Sequence, residues 1–361
     1  MAEKLKSIVV TPKQANSLRL IDSDIPSPKR LELQLQVQKI GICGTDRDII
    51  SGFYGESPIG SDYLVIGHES LSRVSALGAG VSGFKKGDLV VPTVRRNCPE
   101  NCLNCKGGQS DMCLTGHYQE HGIKGLHGFA REFAISDSRF VVKLPETLSD
   151  VGVLLEPLTV VEKGELQSYK LEQGRMKWKP TKAIVLGAGP VGLLATALLR
   201  LRDLDVDTVA TRSMDSPKAK LVQQTGATYV NAKETPLNTL EKKYDIVLEV
   251  TGNPSVAFES QRLTGVNGVV CLLGIYDSST QSGDAGKQFT DMVLGNKVLF
   301  GSVNANKTYF ERGVRDLLAI RKKWSGFLEK IITRRATYND LSNAYRPESE
   351  EEIKTIVQFT S

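Results

Sequence analysis

Apolar and polar positions follow two different rhythms along this chain. From Ser7 to about Val142 the apolar residues fall into short runs broken by turn-forming residues: SIVV, LELQLQVQ, DYLVIG, DLVVP, FAREFAI and FVVKLP. Alternation of this kind is the period of a half-buried strand, so this part is predicted to be all-β. From Thr181 to Asn304 the strands KAIVLG, DTVA, YDIVLEVTG, GVVCLLG and KVLFGSV alternate with helix-like stretches, the pattern of a parallel, doubly wound sheet. Between the two parts, residues 160–171 are predicted to form a connecting helix, and QGRMKWKPTK a polar linker. After Asn304 the pattern turns helical over YFERGVRDLLAIRKKW and FLEKIITRRATY, and it ends in the strand-like TIVQF. One long polar loop, Tyr276 to Lys287, follows the end of a strand in the parallel region.

The first strand of that region carries the most specific signal. Ala183–Leu186 is a short apolar run, followed by Gly187, Gly189 and Gly192 in G-x-G-x-x-G spacing and then by the helix-favouring LLATALLRLRD. Gly187 permits a tight turn, Gly189 lets backbone approach a pyrophosphate, and Gly192 lets the helix pack closely on the strand. The diphosphate would then sit at the positive helix N-terminus. A site for NAD places an acid about 20 residues further on, at the end of the second strand. Here that end offers Thr211, Arg212 and Ser213, two hydroxyls and a guanidinium suited to a ribose phosphate, so the pocket is expected to take NADP. Asp205 or Asp207 reaching back to bind NAD is the alternative.

Length and composition add bounds. At 361 residues the chain can form two domains, each with its own core. The net charge of +5 is spread out, and its densest basic patch, IRKKW near Trp324, reads as a solvated helix face, so nucleic-acid binding has no support. No stretch resembles a membrane span, and MAEKLKSIVV lacks the features of a signal peptide, which points to the cytoplasm. In a reducing compartment six cysteines suggest metal ligands before disulfides.

Four of them, Cys98, Cys102, Cys105 and Cys113, lie within sixteen residues as C-x3-C-x2-C-x7-C, in a segment rich in Gly, Asn and Asp. Four thiolates this close suit a closed tetrahedral zinc of structural role; an iron–sulfur cluster or free thiols are the alternatives. The lobe between Cys98 and Cys113 has one Lys and no aromatic ring, poor material for contact with nucleic acid. A second, scattered set comprises Cys43 in GICGTD, His68 and Glu69 in GHES, and Glu156 in LLEPL. Each alone is weak, since a lone His or Cys is commonly structural. Together they offer the thiolate, imidazole and carboxylate of an open zinc site that can accept a substrate oxygen. Cys271, in GVVCLLG, reads as a small buried hydrophobe.

GICGTD, GHE, GDLVV, the four-cysteine lobe, EPL and GAGPVG, in this order, resemble the zinc-containing medium-chain alcohol dehydrogenase superfamily over essentially the whole chain. The RR-x-C opening of the lobe, TGHYQEHGIKGLHGF and the carboxyl-terminal helices resemble the archaeal glucose dehydrogenases. The resemblance implies an α/β protein with a GroES-like β catalytic domain over residues 1–180 and 305–361, its zinc lobe at about 95–116, and a Rossmann domain over 181–304. It implies oxidation of an aldose at its anomeric carbon to the lactone, with NADP or NAD and two zinc ions per chain. It also implies a homodimer or homotetramer. Cys43 and His68 would hold the catalytic zinc, Glu69 and Glu156 would complete the shell directly or through water, and Thr45 would bond the reacting hydroxyl. Glu120, Glu156 and Asn304 would meet sugar hydroxyls, with Asn304 also near the cofactor, and Gly189, Pro190 and Val191 would line the pyrophosphate. Three positions depart from the superfamily: the first gap of the lobe is one residue longer, Asp48 replaces a proton-relaying His, and Ser72 replaces a Gly. A polyol or alcohol dehydrogenase is the nearest alternative, and a non-catalytic dinucleotide-binding protein is one of another class.

Overall fold

The computed structural model describes residues 4–276, 284–346, 349 and 351–359, so most of the polar loop from Tyr276 to Lys287 lies outside the described residues. The chain divides into two compact units, one of residues 1–156, 304–314 and 332–361, the other of 157–303 and 315–331.

The first unit is built on a seven-stranded sheet ordered Val141–Lys143, Leu89–Pro92, Glu69–Leu77, Glu32–Gly41, Lys354–Gln358 and Ile332–Thr337, with Phe133–Asp137 also pairing on Glu32–Gly41. The alternation read in LELQLQVQ is the alternation observed: Leu33, Leu35 and Val37 are buried and the glutamines between them half-buried. Ile8, Val37, Ile40, Ile66, Phe129 and Val357 share one core, which draws the chain's two ends together. A helix was expected over FLEKIITRRATY; it stops after Phe327–Ile331, and Ile332–Thr337 is a strand parallel to Lys354–Gln358. Its β-branched residues and the burial of Ile332 and Ala336 fit a sheet better than a helix surface. DYLVIG yields only the two-residue strand Leu64–Val65, and the strand in FAREFAI starts at Phe133.

The second unit is a six-stranded, wholly parallel sheet ordered Thr228–Asn231, Asp205–Ala210, Lys182–Leu186, Tyr244–Glu249, Thr264–Leu272 and Val298–Gly301. In chain order this is 3-2-1-4-5-6, the Rossmann arrangement, whose ligands bind at the carboxyl ends of the strands where the order reverses. The units are not cut where the sequence suggested. The helix Leu155–Gln173, expected in the catalytic domain, groups from Pro157 onward with the parallel sheet, as do residues 315–331. Side-chain contacts within the second unit accompany both differences: Arg202 pairs with Glu165 at 3.1 Å and with Asp316 at 2.7 Å, and Lys163 donates a hydrogen bond to the Val303 carbonyl at 2.9 Å. Among the described residues, no helix is long and apolar enough to cross a membrane.

Candidate active site

The strand Glu32–Gly41 runs into Ile42 and Cys43, and Cys43 caps the short helix Gly44–Ile50. Asp46, fully buried, accepts a hydrogen bond from the Cys43 amide through Oδ2 at 2.9 Å, which fixes the backbone that carries the thiol. Its Oδ1 faces His68 Nδ1 at 3.5 Å, and His68 Nε2 lies 3.2 Å from Cys43 Sγ. A carboxylate behind an imidazole sets the tautomer and ring orientation that a metal ligand needs. Glu69 follows at the start of the neighbouring strand and is paired with the buried ammonium of Lys354. One donor atom each from Cys43, His68 and Glu69 lies within 4.8 Å of the others.

The electrostatics match this crowding. Burial pushes the Cys43 thiol up, against the pull of His68. Burial works against a charged His68, but the negative charges of Cys43 and Asp46 prevail and hold its pKa well above the ordinary value. Burial takes the Glu156 carboxyl up to about 7; His68 opposes the rise and Glu69 adds to it. Glu156 lies outside the compact set of three while remaining within electrostatic reach of it. A half-buried thiol with a buried imidazole and carboxylate, all within one ion's reach, suits zinc, the imidazole turning Nε2 toward the thiol while Nδ1 faces Asp46.

Thr45 sits on the capped helix and shares a hydrogen bond with Tyr54, whose phenol is pushed by burial up to about 12. Sequence reasoning missed Tyr54, Asp46 and Lys354. The only available hint for Asp46 was its place three residues after the capping Cys43, where a side chain can reach back to the cap's amide.

Cys98, Cys102, Cys105 and Cys113 bring their sulfurs within 4.8 Å of one another, and none forms a disulfide. Backbone amides point at them: Cys102 N–H donates to Cys98 Sγ at 3.3 Å, and Leu114 N–H to Cys102 Sγ at 3.4 Å. Burial opposes ionisation of Cys113, yet bonds from Thr115 bring its thiol down to about 6. Four converging sulfurs without a pairing geometry fit a tetrahedral thiolate site. Cys271 is buried, as expected, against Gly164.

The three glycines lie at the carboxyl end of Lys182–Leu186. Gly187 adopts φ +115°, and a side chain on Gly192 would come within 2.0 Å of the Gly187 carbonyl. A Cβ on Gly189, the cap of the helix Pro190–Leu201, would meet nothing within 4 Å, leaving room for a diphosphate beside Pro190 and Val191. Thr211–Ser213 directly follow the second strand, and the Arg212 carbonyl accepts a hydrogen bond from Tyr229 Oη at 2.8 Å. Asp207 is spent elsewhere, bonded to Lys242 at 2.9 Å and to Tyr244 Oη at 2.5 Å, and Asp205 pairs with Lys242 at 3.0 Å. No acid of the second strand is thus left to face a ribose, which favours the phosphorylated dinucleotide.

Glu120 and Asn304, distant in sequence, are brought together: Asn304 Nδ2 donates to Glu120 Oε1 at 3.0 Å, and both residues are buried. Asn304 holds the left-handed φ of 58°, uncommon outside glycine and frequent where side chains are placed for function.

A thiol–imidazole–carboxylate set on a β scaffold, a four-thiol lobe and a 3-2-1-4-5-6 parallel sheet with an open glycine turn are together the marks of a zinc-containing medium-chain dehydrogenase. The family model of the alcohol dehydrogenase GroES-like domain matches residues 29–146, and that of the glucose dehydrogenase C-terminus matches residues 149–359. Among curated relatives, glucose 1-dehydrogenase of Methanocella arvoryzae is 42% identical over 98% of this chain and 99% of its own. Glucose 1-dehydrogenase 1 of Caldivirga maquilingensis is 45% identical, again over 98% and 99%. The crystallised glucose dehydrogenase of Haloferax mediterranei, in complex with NADP, Zn and gluconolactone, aligns with TM-score 0.90 at 31% identity over 99% of both chains. The chain belongs to the glucose dehydrogenase family of zinc-dependent medium-chain dehydrogenases.

Proposed function

We propose that this enzyme oxidises an aldose, D-glucose or a close relative such as D-galactose, at C1 to the lactone, passing hydride to NADP in preference to NAD. The observation that carries this reading is the meeting of half-buried Cys43 with buried His68 and Glu69 within 4.8 Å. The relatives' activity supports the substrate, since gluconolactone is what glucose becomes on losing hydride from C1 and a proton from its hydroxyl. When bound, zinc supplies the Lewis acidity that makes a sugar hydroxyl acidic near neutral pH, and the nicotinamide accepts the hydride.

The chain's own residues do the rest. Cys43 and His68 hold the metal, Asp46 orients the imidazole, and Glu69 and Glu156 complete the shell directly or through water. Thr45 accepts the hydroxyl proton, and Tyr54, hydrogen-bonded to Thr45, offers a way outward where Asp48 stands in place of a histidine. Glu120 and Asn304 pair with sugar hydroxyls, which must stay bonded once desolvated. Gly187, Gly189, Pro190, Val191 and Gly192 cradle the pyrophosphate, and Thr211, Arg212 and Ser213 the ribose phosphate. The four cysteines hold the second zinc in a structural role.

The test is nicotinamide reduction with NADP and with NAD against glucose, galactose, xylose, sorbitol and ethanol. Aldoses with NADP should be turned over fastest, and Arg212→Ala should raise the KM for NADP about tenfold or more while leaving that for NAD within about twofold. Faster oxidation of sorbitol or ethanol would remove the roles of Glu120 and Asn304. Silence with every substrate would favour a dinucleotide-binding protein without turnover.

The partner we propose is a second copy of the chain. Val298–Gly301 is the outermost strand of the parallel sheet, its Leu299 exposed, and the helix just before it, Ala285–Leu294, leaves Phe289, Val293 and Leu294 exposed. A strand edge unpaired among the described residues, beside apolar side chains, suits pairing with its own kind. Light scattering should return a dimer or a multiple of it, and Leu299→Lys should shift the mass toward the monomer; a wild-type monomer at micromolar concentration would end this proposal.

A further inference from the structure

Glu120 and Asn304 are held by a third side chain, that of Arg95. In the short antiparallel ladder of Arg95–Arg96 with Gln119–His121, Arg95 stands directly opposite Glu120. Only 4% of Arg95 is exposed, so its charge is committed to what surrounds it. Its Nε and Nη2 both donate to Glu120 Oε1, at 3.0 and 2.9 Å, and Asn304 Nδ2 is the third donor to that same oxygen. The guanidinium is itself fixed from two sides: Nη1 donates to the Asp111 carbonyl at 3.2 Å, and the group lies 3.5 Å from the centroid of the Tyr118 ring. Asp111 lies between Cys105 and Cys113, and its Oδ1 accepts from Asn306 Nδ2 at 2.9 Å.

Three donors thus converge on one carboxylate oxygen, and Oε2 takes part in none of those bonds. A glutamate tethered through one oxygen presents the other in a fixed direction, at a depth where an unpaired carboxylate would be costly. We propose that Arg95 is a positioning residue for the sugar. It clamps Glu120 so that Oε2 faces a substrate hydroxyl, and it ties that carboxylate to the four-cysteine lobe through Asp111. The proposal rests on the reading of Glu120 as a sugar-binding residue. Lysine cannot replace the guanidinium: it keeps the charge but offers a compact, mobile ammonium in place of two rigid donors converging on Oε1 and a stacked plane.

The test is a set of single and double variants of the full-length zinc-loaded enzyme, assayed for KM and kcat with glucose and for KM with NADP. Arg95→Lys should raise the KM for glucose about tenfold, with kcat within about twofold and the KM for NADP unchanged. In a Glu120→Gln background the same change should add less than about twofold, because its effect passes through one carboxylate. Tyr118→Leu removes the ring beneath the guanidinium and leaves the ion pair. It should raise the glucose KM severalfold, and it decides the matter if Arg95→Lys does not fold by circular dichroism. An equal KM rise in both backgrounds, a loss of kcat with KM unchanged, or a folded Arg95→Lys or Tyr118→Leu with wild-type KM would overturn the positioning role. If Glu120→Gln leaves the glucose KM untouched, the reading of Glu120 falls and the proposal with it. If Glu120→Gln acts and Arg95→Lys does not, the positioning role alone falls.

Discussion

Cys43→Ser is expected to lose about a thousandfold or more in turnover while the protein stays folded and binds one zinc, the second donor set alone remaining intact. The two changes have one cause. Cys43 supplies the only sulfur of the set it shares with His68 and Glu69, and a serine hydroxyl is a far poorer partner for zinc than a thiolate. The scaffold has no reason to fail. Cys43 caps a seven-residue helix in a capping box; its amide bond to Asp46 Oδ2 at 2.9 Å does not involve the sulfur, and a serine hydroxyl can take the thiol's place toward the Asp46 amide. The four cysteines from Cys98 to Cys113 form a separate group, so their metal should persist. Metal content per chain by plasma mass spectrometry, measured alongside NADP reduction, checks both halves. A Cys43→Ser enzyme that kept both zinc ions and activity within about tenfold of wild type would show that the thiol is not a ligand.

What the sequence made legible follows how locally each feature is encoded. The four cysteines and the three glycines sit on single segments, so spacing alone foretold that the sulfurs would converge and that the chain would pack closely at Gly192, where a side chain would come within 2.0 Å of the Gly187 carbonyl. The alternating strands were legible because one face of the sheet is buried. The supports of the site were not, because they come from other segments. Lys354 reaches Glu69 only because the last strand pairs beside Glu32–Gly41, and Arg95 reaches Glu120 only across a two-residue ladder. Neither pairing leaves a periodic trace. Ile332–Thr337 was read as helix for the same reason: its strand character is realised by pairing with Lys354–Gln358, and its sequence carries two arginines at its centre. Arg202 gathers Glu165 and Asp316 from segments on either side of it into the second unit, a contact that composition cannot announce.

Gly41→Ala, a change of one methyl group, is expected to damage stability and the metal site together. Gly41 stands opposite Glu69 in the sheet, and its backbone would accept alanine without strain, so any effect must be steric. A Cβ there would fall 2.0 Å from Glu69 Oε2 and 2.9 Å from Lys354 Cε. Both atoms are the far ends of side chains, but Glu69 is 2% exposed and Lys354 1%, so neither can swing into solvent and each must shift within the packed interior. Either the strands part or the buried ion pair breaks. Overpacking a core costs about 1–3 kcal/mol, and separating a buried pair about 3–5 kcal/mol, so a loss of about 3 kcal/mol is the middle expectation. Glu69 is also one of the three groups within an ion's reach, so its displacement should weaken zinc binding at that set. Calorimetry with and without added zinc separates the two effects: the variant should melt lower than wild type and gain less from zinc. The companion Lys354→Met leaves Glu69 buried without its counter-charge and should lower the melting temperature while leaving the donor set in place for the cation, so zinc should restore more of its stability than it does for Gly41→Ala. Were Gly41→Ala to melt as wild type does and respond fully to zinc, Glu69 would have to be free to swing aside, and a fixed carboxylate beside Cys43 and His68 would be lost as the basis of the site.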